Sequence, residues 1–285
     1  MKIAWIGTGV MGKAMLLHLA NAGHSVCAYN RTYEKAIDLK EQGIQVYETI
    51  KACVEHAEVV FTMVGYPKDV YEVYMGDTGI FANVKEGCIL VDMTTSSPQM
   101  ASTLYEEAKK RNLCMLDAPV SGGDSGARNA TLSIMCGGEK DIFERCVPLF
   151  SCMGKSLNYM GPAGNGQHTK ACNQIAVAGA VAAMSEAIVY ARNAGLCEKE
   201  MLQAIKGGAA GSWQIENTAP RVLKEDFEPG FYIKHFIKDM HIVQDEMKQR
   251  NINFQMLNAV CEMYEKLAED GEENNGTQAL LHYYK

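Results

Sequence analysis

The chain has no CxxC pair, no histidines at metal-ligand spacing and no basic face. Each absence excludes something. The ten cysteines, Cys27, Cys53, Cys88, Cys114, Cys136, Cys146, Cys152, Cys172, Cys197 and Cys261, are scattered and sit mostly inside apolar runs. That usage predicts buried, reduced thiols in a cytoplasmic protein, not a disulfide frame. The seven histidines add no ligand pattern, so no structural or catalytic metal is expected. A formal net charge of −7 leaves no footprint for nucleic acid, and Lys109-Lys110-Arg111 reads as a solvated helix end. No stretch is expected to reach the apolar length of a membrane span, so no membrane partner is expected. One lysine precedes an apolar run that breaks at Gly7, so a signal peptide is not expected either.

What remains is ordinary globular composition, 47% hydrophobic and 21% charged over 285 residues, enough for one large domain or two ordinary ones. "KIAWI" is a short apolar run ending at a glycine turn, and "VMGKAMLLHLANAG" places Met11, Met15, Leu16 and Leu19 at helical spacing. "HSVCAYN" predicts a second strand and "TYEKAIDLKEQG" a helix closed by glycine. "AEVVFTMV" and "GCILVDM" are apolar throughout, and "LCMLDAPV", "TLSIMCGG" and "SLNYMG" are further strands around the helix "KDIFERCVPLFSCM". Continuous apolar strands alternating with amphipathic helices predict a parallel sheet covered on both faces.

After Gly161-Pro162 the texture changes. "GQHTKACNQIAVAGAVAAMSEAIVYARNAG" is one long helical stretch rich in small residues, interrupted by Lys170, Asn173, Gln174, Ser185, Glu186 and Arg192, which argues against a membrane span. Helical segments follow to the end, with "EDGEENNG" as a surface turn. The expected organisation is an α/β dinucleotide-binding domain over residues 1–162 and an all-helical domain over 163–285, joined by the long helix.

"IGTGVMG" at residues 6 to 12 follows a strand and opens a helix within a βαβ pattern, the context a dinucleotide loop requires. Gly7 allows the tight turn, Gly9 lets backbone approach a pyrophosphate, and Gly12 lets helix and strand pack closely. Thr8, Val10 and Met11 complete the loop, and the helix N-terminus offers free N–H groups to phosphate. The second strand ends in Tyr29-Asn30-Arg31-Thr32, with no carboxylate before Glu34. Arg31 has the planar fork suited to a 2′-phosphate, and Asn30 and Thr32 add neutral donors and acceptors, so NADP is expected over NAD.

These residues carry a resemblance. "GTGVMGKAMLLHLANAGHSV" is similar to the cofactor fingerprint of the β-hydroxyacid dehydrogenase family, which includes 3-hydroxyisobutyrate dehydrogenases, tartronate semialdehyde reductases and glyoxylate/succinic semialdehyde reductases. "LDAPVSGGDSGA" at 116 to 127 resembles its substrate-binding stretch, "GNGQHTKACNQ" at 164 to 174 its catalytic helix start, and "IKDMHI" at 237 to 242 its later Lys-Asp motif. The four blocks occur in the family's order and span nearly the whole chain.

The resemblance implies an NAD(P)-dependent enzyme moving hydride between a short β-hydroxy acid and its semialdehyde. Lys170 is the implied general acid/base, a role open to a lysine whose pKa is lowered by burial or nearby cations. Ser121, Gly122 and Gly123 are implied to hold the substrate carboxylate, and Asn173 the hydroxyl or carboxylate. Some relatives carry an amide four residues after the lysine, where this chain has Gln174. Lys238 is implied to approach substrate and nicotinamide, with Asp239 as its orienter. Met63, Val64 and Thr95 are implied to line the cofactor, although "MVGYP" displaces Pro67 from the Leu-Pro of many relatives. "GGAAGSWQIEN" is a candidate closing segment in which Trp213 shapes a pocket or is plain core.

A homodimer or homotetramer is implied, and a substrate seated between the two domains. A semialdehyde or glyoxylate reductase would use the same groups in reverse. Imine reductases usually lack the lysine, and 6-phosphogluconate dehydrogenases have a much longer helical domain. A non-catalytic dinucleotide-binding protein is the remaining class, and it gives no reason to keep Lys170.

Overall fold

The computed structural model describes residues 1–284. The chain divides into two compact units, Met1–Lys170 and Ala171–Lys285. In the first, the strands are β1 (Lys2–Ile6), β2 (Ser25–Tyr29), β3 (Gln45–Tyr47), β4 (Val59–Thr62), β5 (Ile89–Asp92), β6 (Cys114–Asp117), β7 (Val120–Ser121), β8 (Leu132–Gly138) and β9 (Gly154–Tyr159). Its helices are α1 (Val10–Asn21), α2 (Ile50–Val54), α3 (Pro67–Met75), α4 (Ile80–Asn83), α5 (Pro98–Lys109), α6 (Gly123–Arg128) and α7 (Lys140–Phe150).

The sheet order is β3-β2-β1-β4-β5-β6-β8-β7, with β9 on β8. Strands β1 to β6 pair in parallel, in the order of a Rossmann fold. Strands β4 and β5 are buried at every residue, so they read as unbroken apolar runs. Along β1 the side chains alternate between two cores. Ile3 and Trp5 join one with Leu16, Phe61 and Phe150. Ala4 and Ile6 join the other with Val54, Val60 and Leu104. Trp5 stacks on Phe61 at 5.3 Å, and its indole N–H donates to the Gly7 carbonyl at 2.9 Å.

Two expectations of an all-parallel, helix-covered sheet change. Strand β8 runs antiparallel to β6, and β7 antiparallel to β8. The link from β6 to β8 holds only the two-residue β7 and the six-residue α6, with no crossover helix to return the chain in parallel. "TYEKAIDLKEQG" forms two 3₁₀ turns, Tyr33–Lys35 and Ile37–Gln42, instead of an α-helix. Of its apolar residues Ala36 and Leu39 are buried while Ile37 is exposed, too narrow a stripe to dock a full helix.

The helix α8 (Asn165–Asn193) leads into the second unit, followed by α9 (Glu198–Ile205), α10 (Ala219–Val222), α11 (Ile233–Gln249), α12 (Gln255–Glu269) and a closing 3₁₀ segment, Thr277–Tyr284. Among the described residues this unit has no strand, only one isolated antiparallel bridge between Tyr232 and Gly276. Its core gathers Ala178, Val181, Met184 and Ile188 of α8 with Phe236 and Met240 of α11 and Tyr264 of α12. The Tyr264 hydroxyl donates to the Thr277 carbonyl at 2.6 Å and fixes the closing segment.

Two further expectations are corrected. Helix α8 is, by length and composition, long and apolar enough to cross a membrane, with a window of mean hydropathy 1.5. One face of the helix is built into the helical core, and Lys170, Asn173, Gln174, Ser185, Glu186 and Arg192 interrupt it. The cysteines are free thiols, but Cys172 and Cys197 are exposed, not buried.

The turn after β1 gives a paired prediction. A Cβ at Gly12 would lie 2.1 Å from the Gly7 carbonyl oxygen, whereas one at Gly9 would meet nothing within 4 Å. Gly12→Ala is expected to cost at least about 2 kcal/mol, a fall in Tm of roughly 4 °C or more. Gly9→Ala is expected to stay within about 0.5 kcal/mol of the parent. Thermal unfolding of the two variants side by side checks this.

Candidate active site

The carboxyl ends of β1, β2, β4 and β5 assemble one cluster of the expected residues. Gly7 has φ +95°, and a Cβ there would sit 2.2 Å from the Met63 carbonyl oxygen, so the β1 and β4 ends are in direct contact. The Thr8 amide donates to Asn30 Oδ1 at 3.0 Å, and Asn30 Nδ2 donates to the Thr32 carbonyl at 2.7 Å. These bonds tie the loop to the end of β2. Val10 at the head of α1 is exposed, while Met11, Met63, Val64 and Thr95 are half-buried.

Arg31 leaves β2 with its side chain 75% exposed and one end anchored, Nη1 donating to Asp69 Oδ1 at 2.9 Å. Asp69 Oδ2 meanwhile accepts from the Tyr66 amide at 3.1 Å and closes the first turn of α3. The sequence reading missed Asp69. Its signal was a Pro67-Lys68-Asp69 run typical of a helix start.

Behind this cluster runs a buried polar network. Thr62 Oγ1 donates to Asp92 Oδ1 at 2.7 Å, and the Thr94 amide donates to the same oxygen at 3.1 Å. Thr94 Oγ1 accepts from the Val64 amide at 3.0 Å, and its carbonyl accepts from Gln167 Nε2 at 2.8 Å. Gln167 Oε1 accepts from the Ser96 amide at 3.0 Å. At the end of β6, Asp117 accepts from the Gly164 amide at 2.8 Å and the Gln167 amide at 2.9 Å. The strand ends thereby hold the first turn of α8, whose N–H groups have no partner within the helix. Lys170 lies on that helix three residues after Gln167 and is only 7% exposed, so it is not a solvated helix lysine. Asp117 and Gln167 carry no local sequence signal for this role. Their part depends on a long-range contact that no local pattern announces.

In the second unit, α8 and α11 carry a second polar chain. Asn173 Nδ2 donates to Gln174 Oε1 at 2.7 Å, and Gln174 Nε2 donates to Asp239 Oδ2 at 2.5 Å. Asp239 Oδ1 pairs with Lys238 Nζ at 2.9 Å. Gln174 is 3% exposed and Asp239 2%, so this is an interior relay rather than a charged pair on a wet helix. On α8, Asn173 and Gln174 stand three and four residues beyond Lys170, one helical turn along the same side.

Ser121 ends β7, and Gly122 (φ +132°) and Gly123 (φ +62°) turn the chain into α6 with backbone N–H groups free of helix partners. Asp124 in that turn is paired with Arg128 at 2.6 Å. Trp213 is 57% exposed, which excludes the plain-core alternative for it.

The residues present fit a bound dinucleotide. The face of Gly9 is open where a Cβ would go, α1 starts there without a side-chain cap, and Thr8 Oγ1 and Ser96 Oγ are buried with no protein partner. A Rossmann-type strand order with a glycine loop of this geometry is the frame of a dinucleotide-binding domain.

Known proteins agree. A family model described as the NAD binding domain of 6-phosphogluconate dehydrogenase matches residues 2–161. Another, described as NAD-binding of NADP-dependent 3-hydroxyisobutyrate dehydrogenase, matches residues 164–284. The uncharacterized oxidoreductase YkwC of Bacillus subtilis is 52% identical, over 98% of this chain and 96% of that protein. The 2-hydroxy-3-oxopropionate reductase of Escherichia coli is 35% identical, over 99% of this chain and 96% of its own length. The solved 3-hydroxyisobutyrate dehydrogenase of Mycobacterium tuberculosis with L-serine is 28% identical, with a TM-score of 0.91, covering 100% of this chain and 99% of that one. The chain belongs to the β-hydroxyacid dehydrogenase family, whose members act on hydroxy acids with NAD(P).

Asp117 supplies a pH prediction. Burial pushes its carboxyl from 3.8 up to about 6, against the Gly164 and Gln167 amides that pull it down. Folding therefore takes up a proton between those values, and the stability this group contributes falls as pH rises through the window, by on the order of 3 kcal/mol. Asp117→Asn removes that slope. Urea unfolding of parent and variant from pH 4 to 7 is expected to show their difference shrinking as pH rises, and a growing difference would mean that the amide hydrogen bonds dominate.

Proposed function

We propose that this protein is a reversible, NADP-preferring dehydrogenase that moves hydride between a short β-hydroxy acid of the 3-hydroxyisobutyrate type and its semialdehyde. The observation that carries the reading is Lys170, buried on a helix whose first turn is locked by Asp117 and Gln167. A bound nicotinamide accepts or supplies the hydride. Lys170 Nζ takes the hydroxyl proton in the oxidation and returns it to the carbonyl oxygen in the reduction. Its positive charge in the reducing direction stabilises the developing alkoxide. Asn173 is assigned to the substrate hydroxyl or carboxylate, with Gln174 holding its amide in one orientation. Lys238, fixed by Asp239, contributes charge toward substrate and nicotinamide. Ser121, Gly122 and Gly123 are assigned to the substrate carboxylate.

The NADP preference rests on Arg31. Its fork is mostly exposed yet oriented by Asp69, a donor already in place for a 2′-phosphate. Asn30 and Thr32 flank it, and the Gly7–Gly12 loop with Met63, Val64 and Thr95 is assigned to the rest of the cofactor. The oligomer expectation is supported by one side of α8, where Cys172, Ala176, Ala183 and Tyr190 remain exposed beside Glu186. We place a homodimer or homotetramer in the cytoplasm. The reductive direction is the second reading, favoured by the Escherichia coli relative being named a reductase.

Absorbance at the nicotinamide band decides the class. NADPH and NADH are each tested with succinic semialdehyde, glyoxylate, tartronate semialdehyde and methylmalonate semialdehyde, and the matching hydroxy acids in reverse. A rate with one acid and a preference for NADPH is expected, and tight binding with no turnover on any acid would indicate a non-catalytic binder. Lys170→Ala is expected to keep dinucleotide affinity and lose about 10²-fold or more in kcat. Arg31→Ala is expected to weaken NADPH by about tenfold or more while sparing NADH, and equal losses would remove Arg31 from the 2′-phosphate.

A further inference from the structure

We infer that His241, Cys261 and Glu265, residues with no part in the proposed catalysis, form a site for one borderline-soft divalent cation of the zinc class. His241 lies on α11, and Cys261 and Glu265 are four residues apart on α12, so both point to the same side of that helix. One donor atom from each lies within 4.8 Å of the other two. In a tetrahedral zinc site with ordinary bond lengths, neighbouring donors stand about 3.4–3.8 Å apart. The trio therefore needs only side-chain adjustment. His241 Nε2 and Glu265 Oε1, now hydrogen-bonded at 2.6 Å, open by under about 1 Å.

Charge and softness select the cation. A thiolate, a carboxylate and a neutral imidazole together carry two negative charges, which balance one divalent cation. The sulfur and nitrogen donors disfavour magnesium and calcium, which take all-oxygen sets. Binding releases the Cys261 thiol proton to solvent as the Sγ–metal bond forms, with no change of oxidation state. Cys261 itself is buried, while His241 and Glu265 are about half exposed. The site thus lies at the rim of the helical core, where water can complete the fourth position. A groove of about 330 Å³ lined by Glu262 and Glu265 opens beside it. His241 and Cys261 stand twenty positions apart, so no sequence spacing reveals the set. His241 follows Lys238 by three residues on α11, so the cation would staple the helix bearing Lys238 to α12.

The test uses cobalt(II) as a spectroscopic stand-in on the full chain. Titration is expected to give one cobalt per chain with a sulfur-to-metal charge-transfer band in the near ultraviolet, displaced by zinc. Cys261→Ser is expected to abolish the band, and His241→Ala and Glu265→Gln, at solvent-facing positions, to weaken binding by about tenfold or more. No near-ultraviolet band in the parent protein overturns the site. So does a band that survives Cys261→Ser and disappears when the exposed Cys172 and Cys197 are changed to serine. Should Cys261→Ser fail to fold, unchanged affinity in both His241→Ala and Glu265→Gln overturns it as well.

Discussion

Two backbone amides, those of Gly164 and Gln167, converge on the two oxygens of one buried carboxylate, Asp117. The start of α8 is placed by that convergence. There is little slack around it: a Cβ at Gly137 would come 2.5 Å from Asp117 Oδ1, and one at Gly166 would come 2.5 Å from the Met135 carbonyl oxygen. The helix therefore begins at one fixed point against β6 and β8, and every residue counted along it inherits that registration. Gln167 then passes the constraint sideways through Thr94 to Val64 and the end of β4. A charged group is held in the interior because it is the shortest way to satisfy a helix terminus there.

The same economy recurs in the helical unit. Asn173, Gln174, Asp239 and Lys238 form an unbroken series in which each buried polar group meets the next. A buried amide with a free rotor would be poorly defined. One clamped at both ends has a single orientation. The relay thus sets how the α8 amides and the α11 lysine present themselves, independent of any ligand.

Legibility in the sequence followed the range of the forces involved. The strands β1, β2, β4 and β5, the glycine loop and the long helices were visible because each rests on local patterning, an apolar run or a helical stripe beside a glycine. The 3₁₀ turns at Tyr33–Lys35 and Ile37–Gln42 were misread as a helix, since burial of Ala36 and Leu39 but not Ile37 is a tertiary outcome. The antiparallel β8 was hidden because strand direction depends on what joins β6 to it. Lys170 and Lys238 stand out in the sequence through motif resemblance alone. Asp117, Asp69 and the linking role of Gln174 do not, because each acts on a partner distant in sequence or on another side chain.

Asp69 closes the first turn of α3 through one oxygen and grips Arg31 through the other. Two traits of unlike kind, the beginning of a helix and the aim of a guanidinium, are written in a single codon. A lineage drifting at this position cannot retune one without disturbing the other. Substitutions that would release Arg31 also fray α3, so selection on folding alone shields the arginine's placement. Under the 2′-phosphate role proposed for Arg31, conversion toward a different dinucleotide would have a smoother path through Arg31 itself, a side chain three-quarters exposed, than through the acid that holds it.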